Sequence, residues 1–161
     1  MVKQATVADI PVIESILLDA VRWMDATGQH QWEEANVRWE KLSQYYNIHD
    51  FYLACDGDTP AACMALIDYD PHFWPNIPKG ESLFLHKVAV LRTHAGKGYV
   101  WELVDFAKGK ASDMGIQSLR LDCHLRRYKV RAVYEKLGFA CVEETVLFGQ
   151  YETALYICNL S

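Results

Sequence analysis

The sequence predicts an α+β fold, a mixed α/β domain without the strict alternation of a doubly wound sheet. Apolar spacing near 3.6 residues recurs in four segments and strand-like patterning in seven. Glycine or proline stands at most of the switches between them. The third observation is size. A chain of 161 residues with 51% hydrophobic and 23% charged residues suits one sizeable core, so a single domain over residues 1–161 is expected.

Taken in order, residues 2–5 read as a short strand, and Thr6 with Asp9 has the pattern of a capping box, Asp standing for Glu. From Ile10 to Ala26 the residues Ile13, Ile16, Leu17, Ala20, Val21 and Met24 fall on one helical face, which Gly28 closes. A second helix is expected over residues 37–46. The period then changes. Residues 51–55 and 61–67 read as strands around Asp56-Gly57-Asp58, a hairpin signal. Pro71, Pro75, Pro78 and Gly80 make residues 69–80 a loop. A strand follows over 83–91. Helical spacing returns over 99–114 through Val100, Leu103, Val104, Ala107, Ala111 and Met114, with Gly115 at the C-cap. Residues 116–123 alternate as a strand. Residues 128–137 form a short helix with Val130, Val133 and Leu137 on one face, closed by Gly138. Strands over 140–147 and 151–160 complete the chain.

Composition narrows the function classes. The net charge is −5, and basic residues cluster only between Arg120 and Arg131, against the basic face a nucleic-acid binder needs. The acidic balance favours a cationic acceptor, such as an amine, by steering. No secretory signal and no bilayer-length apolar run is visible, so a cytoplasmic protein without membrane partners is expected. The five cysteines lack C-x-x-C spacing and the six histidines lack H-E-x-x-H, so reduced, mostly buried thiols and no metal are expected.

The most informative stretch runs from Val88-Ala89-Val90 through Leu91-Arg92-Thr93-His94-Ala95 to Gly96-Lys97-Gly98-Tyr99-Val100. A strand ends, a polar loop follows, and a helix starts at the glycines. Helix starts carry unpaired N–H groups and the positive end of the dipole, and glycine lets backbone approach a ligand, which suits phosphate. G-K-G alone is a weak signal and reads more readily as a tight turn with a solvated lysine. It is neither G-x-x-x-x-G-K-S/T nor G-x-G-x-x-G. A second constellation is Leu121-Asp122-Cys123 followed by Arg131-Ala132-Val133-Tyr134-Glu135-Lys136-Leu137-Gly138-Phe139. Taken alone, Tyr134 reads as an amphipathic core residue with its hydroxyl satisfied.

Together, at this separation, these stretches resemble motifs A and B of the Gcn5-related N-acetyltransferase (GNAT) superfamily. The resemblance is strong over residues 82–139 and elsewhere follows element order. It implies a central, mostly antiparallel mixed sheet of six to seven strands flanked by four helices, with acetyl-coenzyme A as co-substrate. It also implies a small-molecule amine acceptor and a homodimer. Carried over, Ala95, Gly96, Lys97, Gly98, Tyr99 and Val100 line the coenzyme pyrophosphate. Backbone groups of Val88, Ala89 and Val90 run along the pantetheine arm like an added strand. Tyr134 protonates the departing thiolate as general acid, and the Val88 N–H polarises the thioester carbonyl.

Three positions depart from the family pattern. Ala95 stands where the motif has Arg or Gln, and Val100 where it has Gly or Ala. Arg127 stands where it has Asn. A missing arginine removes a charge-assisted contact worth about 1.5–3 kcal/mol, and His94 and Lys97 are the residues expected to replace part of it. Arg126, Arg127 and Lys129 read either as contacts to the coenzyme 3′-phosphate or as a solvated face. These departures keep a second reading open, a coenzyme A-binding sensor or partner protein without catalysis.

An ammonium acceptor must lose a proton. Glu81 and His86, on the strand entering motif A, are the candidate bases. His86 has the suitable unperturbed pKa, near 6.5, and ranks above Glu81. Either also reads as structural, His86 bonded in the interior and Glu81 at a strand entrance. Asp122 reads as structural. For the acceptor pocket, Trp23, Gln31, Trp32, Trp39, Phe73 and Trp74 stand out. Glu33, Glu34, Asp68 and Asp70 are the nearby carboxylates that, with these rings, could cradle an ammonium. The reading of the same aromatics as ordinary core and helix-packing residues is favoured over this one.

Overall fold

The computed structural model describes residues 1–160; Ser161, the end of the expected domain, lies outside them. Seven strands stand in the order β1-β2-β3-β4-β5-β7-β6. They are β1 (Val2–Gln4), β2 (Phe51–Asp56), β3 (Thr59–Ile67), β4 (Leu83–Val90), β5 (Ser118–His124), β6 (Ala140–Leu147) and β7 (Tyr151–Asn159). The pairs β1–β2, β2–β3, β5–β7 and β6–β7 are antiparallel and β4–β5 is parallel, the mostly antiparallel mixed sheet expected. Four α-helices accompany it: α1 (Ile10–Ala26), α2 (Trp39–Leu42), α3 (Tyr99–Asp113) and α4 (Tyr128–Lys136). Two compact units are distinguishable, Met1–Leu66 with Lys87–Phe106 and Ile67–His86 with Ala107–Ser161.

In the first unit, α1 packs Ile13, Ile16, Leu17 and Val21 into one core with Phe51, Leu53, Cys63 and Ala65, with Ala20 partly buried against it; Met24, the last residue of the predicted stripe, is buried as well. Burying Leu17 in full contributes about 1.5–3 kcal/mol. The Thr6–Asp9 box forms, the Thr6 N–H donating to Asp9 Oδ2 at 2.8 Å, but it caps a 3-10 turn over Val7–Asp9 that leads into α1. Helix α1 ends as its glycine predicts. Gly28 has φ +73°, and the Gln29 N–H donates back to the Met24 carbonyl at 2.8 Å. Gly57, with φ +60°, takes the first of the two turn positions between β2 and β3, where a II′ hairpin wants glycine.

The second helix differs from expectation. Residues 37–46 give one turn of α-helix, Trp39–Leu42, after a 3-10 turn over Glu34–Val37. Two local interactions bound it. The Trp39 N–H is capped from outside by Glu14 Oε2 at 2.8 Å. Asn47 then opens a new cap over Ile48–Asp50, its N–H donating to Asp50 Oδ2 and its side chain accepting from His49 N–H.

In the second unit, β5 and β7 pair over their full lengths, from Ser118↔Asn159 to His124↔Thr153. Edge strand β6 is exposed on most of its residues. Helix α4 presents Tyr134 as its buried residue, whereas Val133, expected on the inner face, is 43% exposed. The helix is turned so that Arg131 and Tyr134 face inward. A polar chain fixes that rotation: Arg131 Nε donates to the Tyr156 hydroxyl at 2.8 Å, which donates to Glu135 Oε2 at 2.7 Å. Burial chiefly, with Glu135, pushes the Tyr156 phenol up to about 12, so it stays a donor at neutral pH. Gly138 (φ +100°) ends α4. A Cβ there would meet Cys158 Sγ at 3.5 Å and Lys108 Nζ at 3.7 Å.

All five cysteines are free thiols, Cys141 exposed and the others buried. Burial pushes Cys63 and Cys123 up to about 12, with Asp122 adding to the effect at Cys123. A native titration with a disulfide reagent at pH 8 should therefore show one fast thiol, lost in Cys141→Ser. Two or more fast equivalents would contradict the burial. No described helix is long and apolar enough to cross a membrane.

Candidate active site

The glycine loop belongs to the first unit. A 3-10 turn over Arg92–His94 leads from β4 to Ala95, and Gly96 and Gly98 follow with φ +75° and +87°. Only glycine holds such angles without strain. The first backbone bond of α3 runs from the Glu102 N–H to the Gly98 carbonyl at 3.1 Å. The amides of Tyr99, Val100 and Trp101 therefore have no acceptor within the helix. Gly96, Lys97 and Gly98 are exposed, and Ala95, Tyr99 and Val100 half-buried. The result is an open row of donors at the positive end of a 15-residue helix.

Strand β4 is bent just before this loop. Lys87 has φ +52°, a costly angle for a residue with a Cβ. Its carbonyl accepts from the Cys63 thiol at 3.6 Å, and its ammonium lies 5.0 Å from the Trp32 ring centroid. Val88 and Val90 are half-buried, and the Ala89 methyl packs into the core, so what Ala89 can offer a ligand is backbone.

Two residues expected to replace the missing arginine differ. Lys97 is exposed and within the loop. His94 is turned away: its Nε2 lies 3.3 Å from Asp56 Oδ2, its ring packs edge-on against Tyr99, and its side chain is 15% exposed. The Asp56 carboxylate and the Tyr99 ring already engage the imidazole, so of these two Lys97 is the exposed cation.

The tyrosine helix belongs to the second unit. Tyr134 is 8% exposed, edge-on to Phe139 at 5.7 Å. Burial chiefly, and then Cys123, holds its phenol well above the usual tyrosine value, and Arg127 partly offsets this. Arg127 is half-buried beside Tyr134 and Cys123, and its burial lowers its own pKa. It is therefore not part of a solvated face. Arg126 and Lys129 are exposed, with Arg126 Nε 3.2 Å from Glu152 Oε2.

The two candidate bases separate clearly. Glu81 is 54% exposed in its side chain, 3.9 Å from Arg120 Nη2. His86 is 12% exposed, and its Nε2 lies 2.9 Å from Asp70 Oδ2, whose side chain is 6% exposed. Asp122 joins them: one polar atom from each of the three lies within 4.8 Å of the others. Phe73 packs beside His86 with centroids 6.3 Å apart, and Phe148 packs on Phe73 at 5.6 Å. Phe148 is 61% exposed and has φ +54°. Asp70 was legible only as one of four nearby carboxylates. Asp122 read as structural, and Phe148 carried no signal.

The acceptor aromatics divide. Trp74 is core, 6% exposed against Phe84 with Arg120 4.8 Å over its ring. Trp39 packs edge-on to Phe51 at 6.1 Å. Trp23 and Trp32 do meet cations, but these are the chain's own Arg92, at 3.9 Å, and Lys87. Glu33, Glu34 and Asp68 pair with His30, Arg22 and Lys79. Of the four carboxylates, Asp70 alone reaches a candidate catalytic residue.

The sequence model of the Acetyltransferase (GNAT) family matches residues 17–139, most of the chain. The chain belongs to that family. It is an acetyltransferase, and the GNAT fold is confirmed by solved structures. The uncharacterized N-acetyltransferase YesJ of Bacillus subtilis (strain 168) is 24% identical over 148 residues, covering 84% of this chain and 78% of its own. A GNAT acetyltransferase from Listeria monocytogenes superposes with a TM-score of 0.74 at 20% identity, over 99% of this chain and 94% of that one. The N-acetylglutamate synthase of Neisseria gonorrhoeae, solved with coenzyme A and N-acetyl-glutamate, matches with a TM-score of 0.67 at 18% identity. There this whole GNAT chain corresponds to 35% of the larger protein.

Proposed function

We propose that this GNAT chain, working as one domain over residues 1–161, transfers the acetyl group of acetyl-coenzyme A to a primary amine of a small-molecule acceptor. The observation that carries the reading is the helix start at Gly98. Left-handed glycines precede a row of outward amides, the donor set a pyrophosphate needs. Exposed Lys97 adds charge there. In this reading Ala95, Gly96, Lys97, Gly98, Tyr99 and Val100 hold the pyrophosphate, and the backbone of Val88, Ala89 and Val90 takes the pantetheine arm.

The chemistry is direct attack. His86 takes the proton of the acceptor ammonium, and the free amine attacks the thioester carbonyl carbon. The Val88 N–H stabilises the oxyanion, the C–S bond breaks, and Tyr134 gives its proton to the thiolate. Tyr134 is suited to this because burial keeps it protonated through neutral pH. The acid therefore holds its proton up to at least the ordinary tyrosine range, about pH 10. Arg127, beside Tyr134, supplies positive charge where the thiolate develops.

Calorimetry with acetyl-coenzyme A tests the reading first. Micromolar binding, followed by coenzyme A release with a panel of primary amines and amino acids, is the expected result. No heat up to millimolar ligand would sink it. Binding without turnover on any amine would favour the sensor reading, which the departures at Ala95, Val100 and Arg127 motivate.

His86 is favoured over Glu81 as base because it is withdrawn from water and held by a carboxylate, whereas Glu81 is half in solvent beside Arg120. His86→Ala should lower turnover by about 10²-fold or more, and Glu81→Gln by less than about threefold, the scale of a weak surface pair. The reverse order would move the base to Glu81.

A further inference from the structure

Phe148 stands in the turn between β6 and β7 at a backbone angle that disfavours it. The Gln150 N–H donates to the Leu147 carbonyl at 3.2 Å, closing a turn whose central residues, Phe148 and Gly149, have φ +54° and +78°. Two positive angles mark a type I′ turn, which favours Asn, Asp or Gly at its first central position. A bulky side chain there is strained. Nor does the strain hide the ring, since Phe148 is 61% exposed. Isolated exposed apolar residues are common and need no account. One held at a costly angle does.

What Phe148 meets is a row of rings. It packs edge-on to Tyr151 at 6.3 Å and to Phe73 at 5.6 Å, and Phe73 in turn lies 6.3 Å from the His86 ring. Tyr151 is 43% exposed. Phe73 is held from behind: it packs against the Trp74, Phe84 and Leu155 cluster, and its N–H donates to Asp70 Oδ1 at 3.4 Å. All of these residues belong to the second unit. The row therefore runs from solvent, at Tyr151 and Phe148, inward to Phe73 beside His86, and its three members are neutral.

We propose that Phe148 and Phe73 form the apolar wall of the acceptor subsite, and that the acceptor is a primary amine carrying an aromatic or bulky apolar group close to its nitrogen. The inference rests on the proposed placing of the acceptor amine beside His86. With the nitrogen there, the Phe73 ring adjoins it and the Phe148 ring stands one ring further out. A ring laid along that wall leaves water and gains edge-to-face contacts. It covers the exposed surface of Phe148, which gives the strained placement a role.

The test compares two primary amines that differ in the apolar group alone, phenethylamine and ethylamine. With the full chain and acetyl-coenzyme A, kcat/KM for phenethylamine should exceed that for ethylamine by about 10²-fold, on the scale that added apolar groups give a pocket. Phe148→Asn gives the turn a residue it favours and removes the wall. The ratio should then fall by about tenfold, the worth of one aromatic contact, while Phe148→Tyr, which keeps the ring, should hold it. The Phe148→Asn melt should stay within a few degrees of the parent, because relief of the angle offsets the lost contact with Phe73.

Calorimetry of the same two amines on protein saturated with coenzyme A reads the wall without any reaction. Phenethylamine should again bind more tightly, and Phe148→Asn should remove most of the difference. Equal binding of the two amines, or no detectable binding of either, would overturn the proposal. So would an unmoved ratio in Phe148→Asn beside a melt several degrees lower, the mark of a ring that serves folding alone. Tighter binding of phenethylamine that Phe148→Asn abolishes, without turnover of either amine, would uphold the wall and count against the proposed acetyl transfer.

Discussion

Tyr134→Phe should lower turnover by about 10²–10⁴-fold, the usual contribution of a positioned acid, and leave acetyl-coenzyme A affinity within about twofold, far below a full 1.4 kcal/mol decade. The expulsion of a thiolate from the tetrahedral intermediate is the step that needs a proton. In the proposed reading Tyr134 supplies it, and that residue is nearly buried, edge-on to Phe139 and beside the Arg127 guanidinium. Phenylalanine keeps the ring and its packing and removes the hydroxyl alone. The loss should therefore appear in kcat and not in coenzyme binding. The sign of the pH effect follows from burial, which raises the phenol's pKa. The acid is competent below that value, so an alkaline fall in kcat due to Tyr134 belongs above about pH 10. A fall near neutrality that survives in Tyr134→Phe would belong to another group. Weakened binding with normal turnover would remove Tyr134 from the chemistry.

Gly98→Pro should carry coenzyme affinity from micromolar to beyond millimolar, a loss of about 4 kcal/mol or more. Proline fixes φ near −65°, whereas Gly98 holds +87°, and it deletes an N–H at the head of α3. Both changes fall on the backbone that is to meet the pyrophosphate. Because such a change can unfold α3, Gly98→Ala is the companion variant. Its Cβ meets nothing within 4 Å, so it costs only the left-handed angle, about 1–2 kcal/mol. A weakening of about 5–30-fold with a near-normal melt is expected there. If both variants fold and bind as the parent does, the pyrophosphate lies elsewhere.

Legibility followed the range of the interaction. The helix over 10–26 matched to the residue, because its apolar spacing, entry turn and Gly28 stop are all encoded within a few positions. The glycine loop was legible for the same reason: left-handed angles require glycine wherever the chain runs. Helix α2 was overread. Apolar spacing over 37–46 gave no sign that Glu14 would cap Trp39 from 25 residues away, or that Asn47 would open a new turn. The inner face of α4 was misread by one residue, because the Arg131–Tyr156–Glu135 chain sets the helix rotation.

The sequence by itself determined the elements and their order, the motif pair, and the identity of Tyr134, His86 and the Gly96–Gly98 loop as the residues to weigh. The elements and the glycine loop rest on spacing, caps and backbone angles, which neighbouring residues decide; Tyr134 rests on the resemblance of the motif pair, and His86 on its place in the strand before motif A. The tertiary structure alone decided which side chains are already engaged. His94 is turned to Asp56, Trp23 and Trp32 hold the chain's own cations, and Asp70 reaches His86 from 16 residues away. Such pairings depend on strand register and the path of a loop between distant anchors, and no local pattern of residues specifies either.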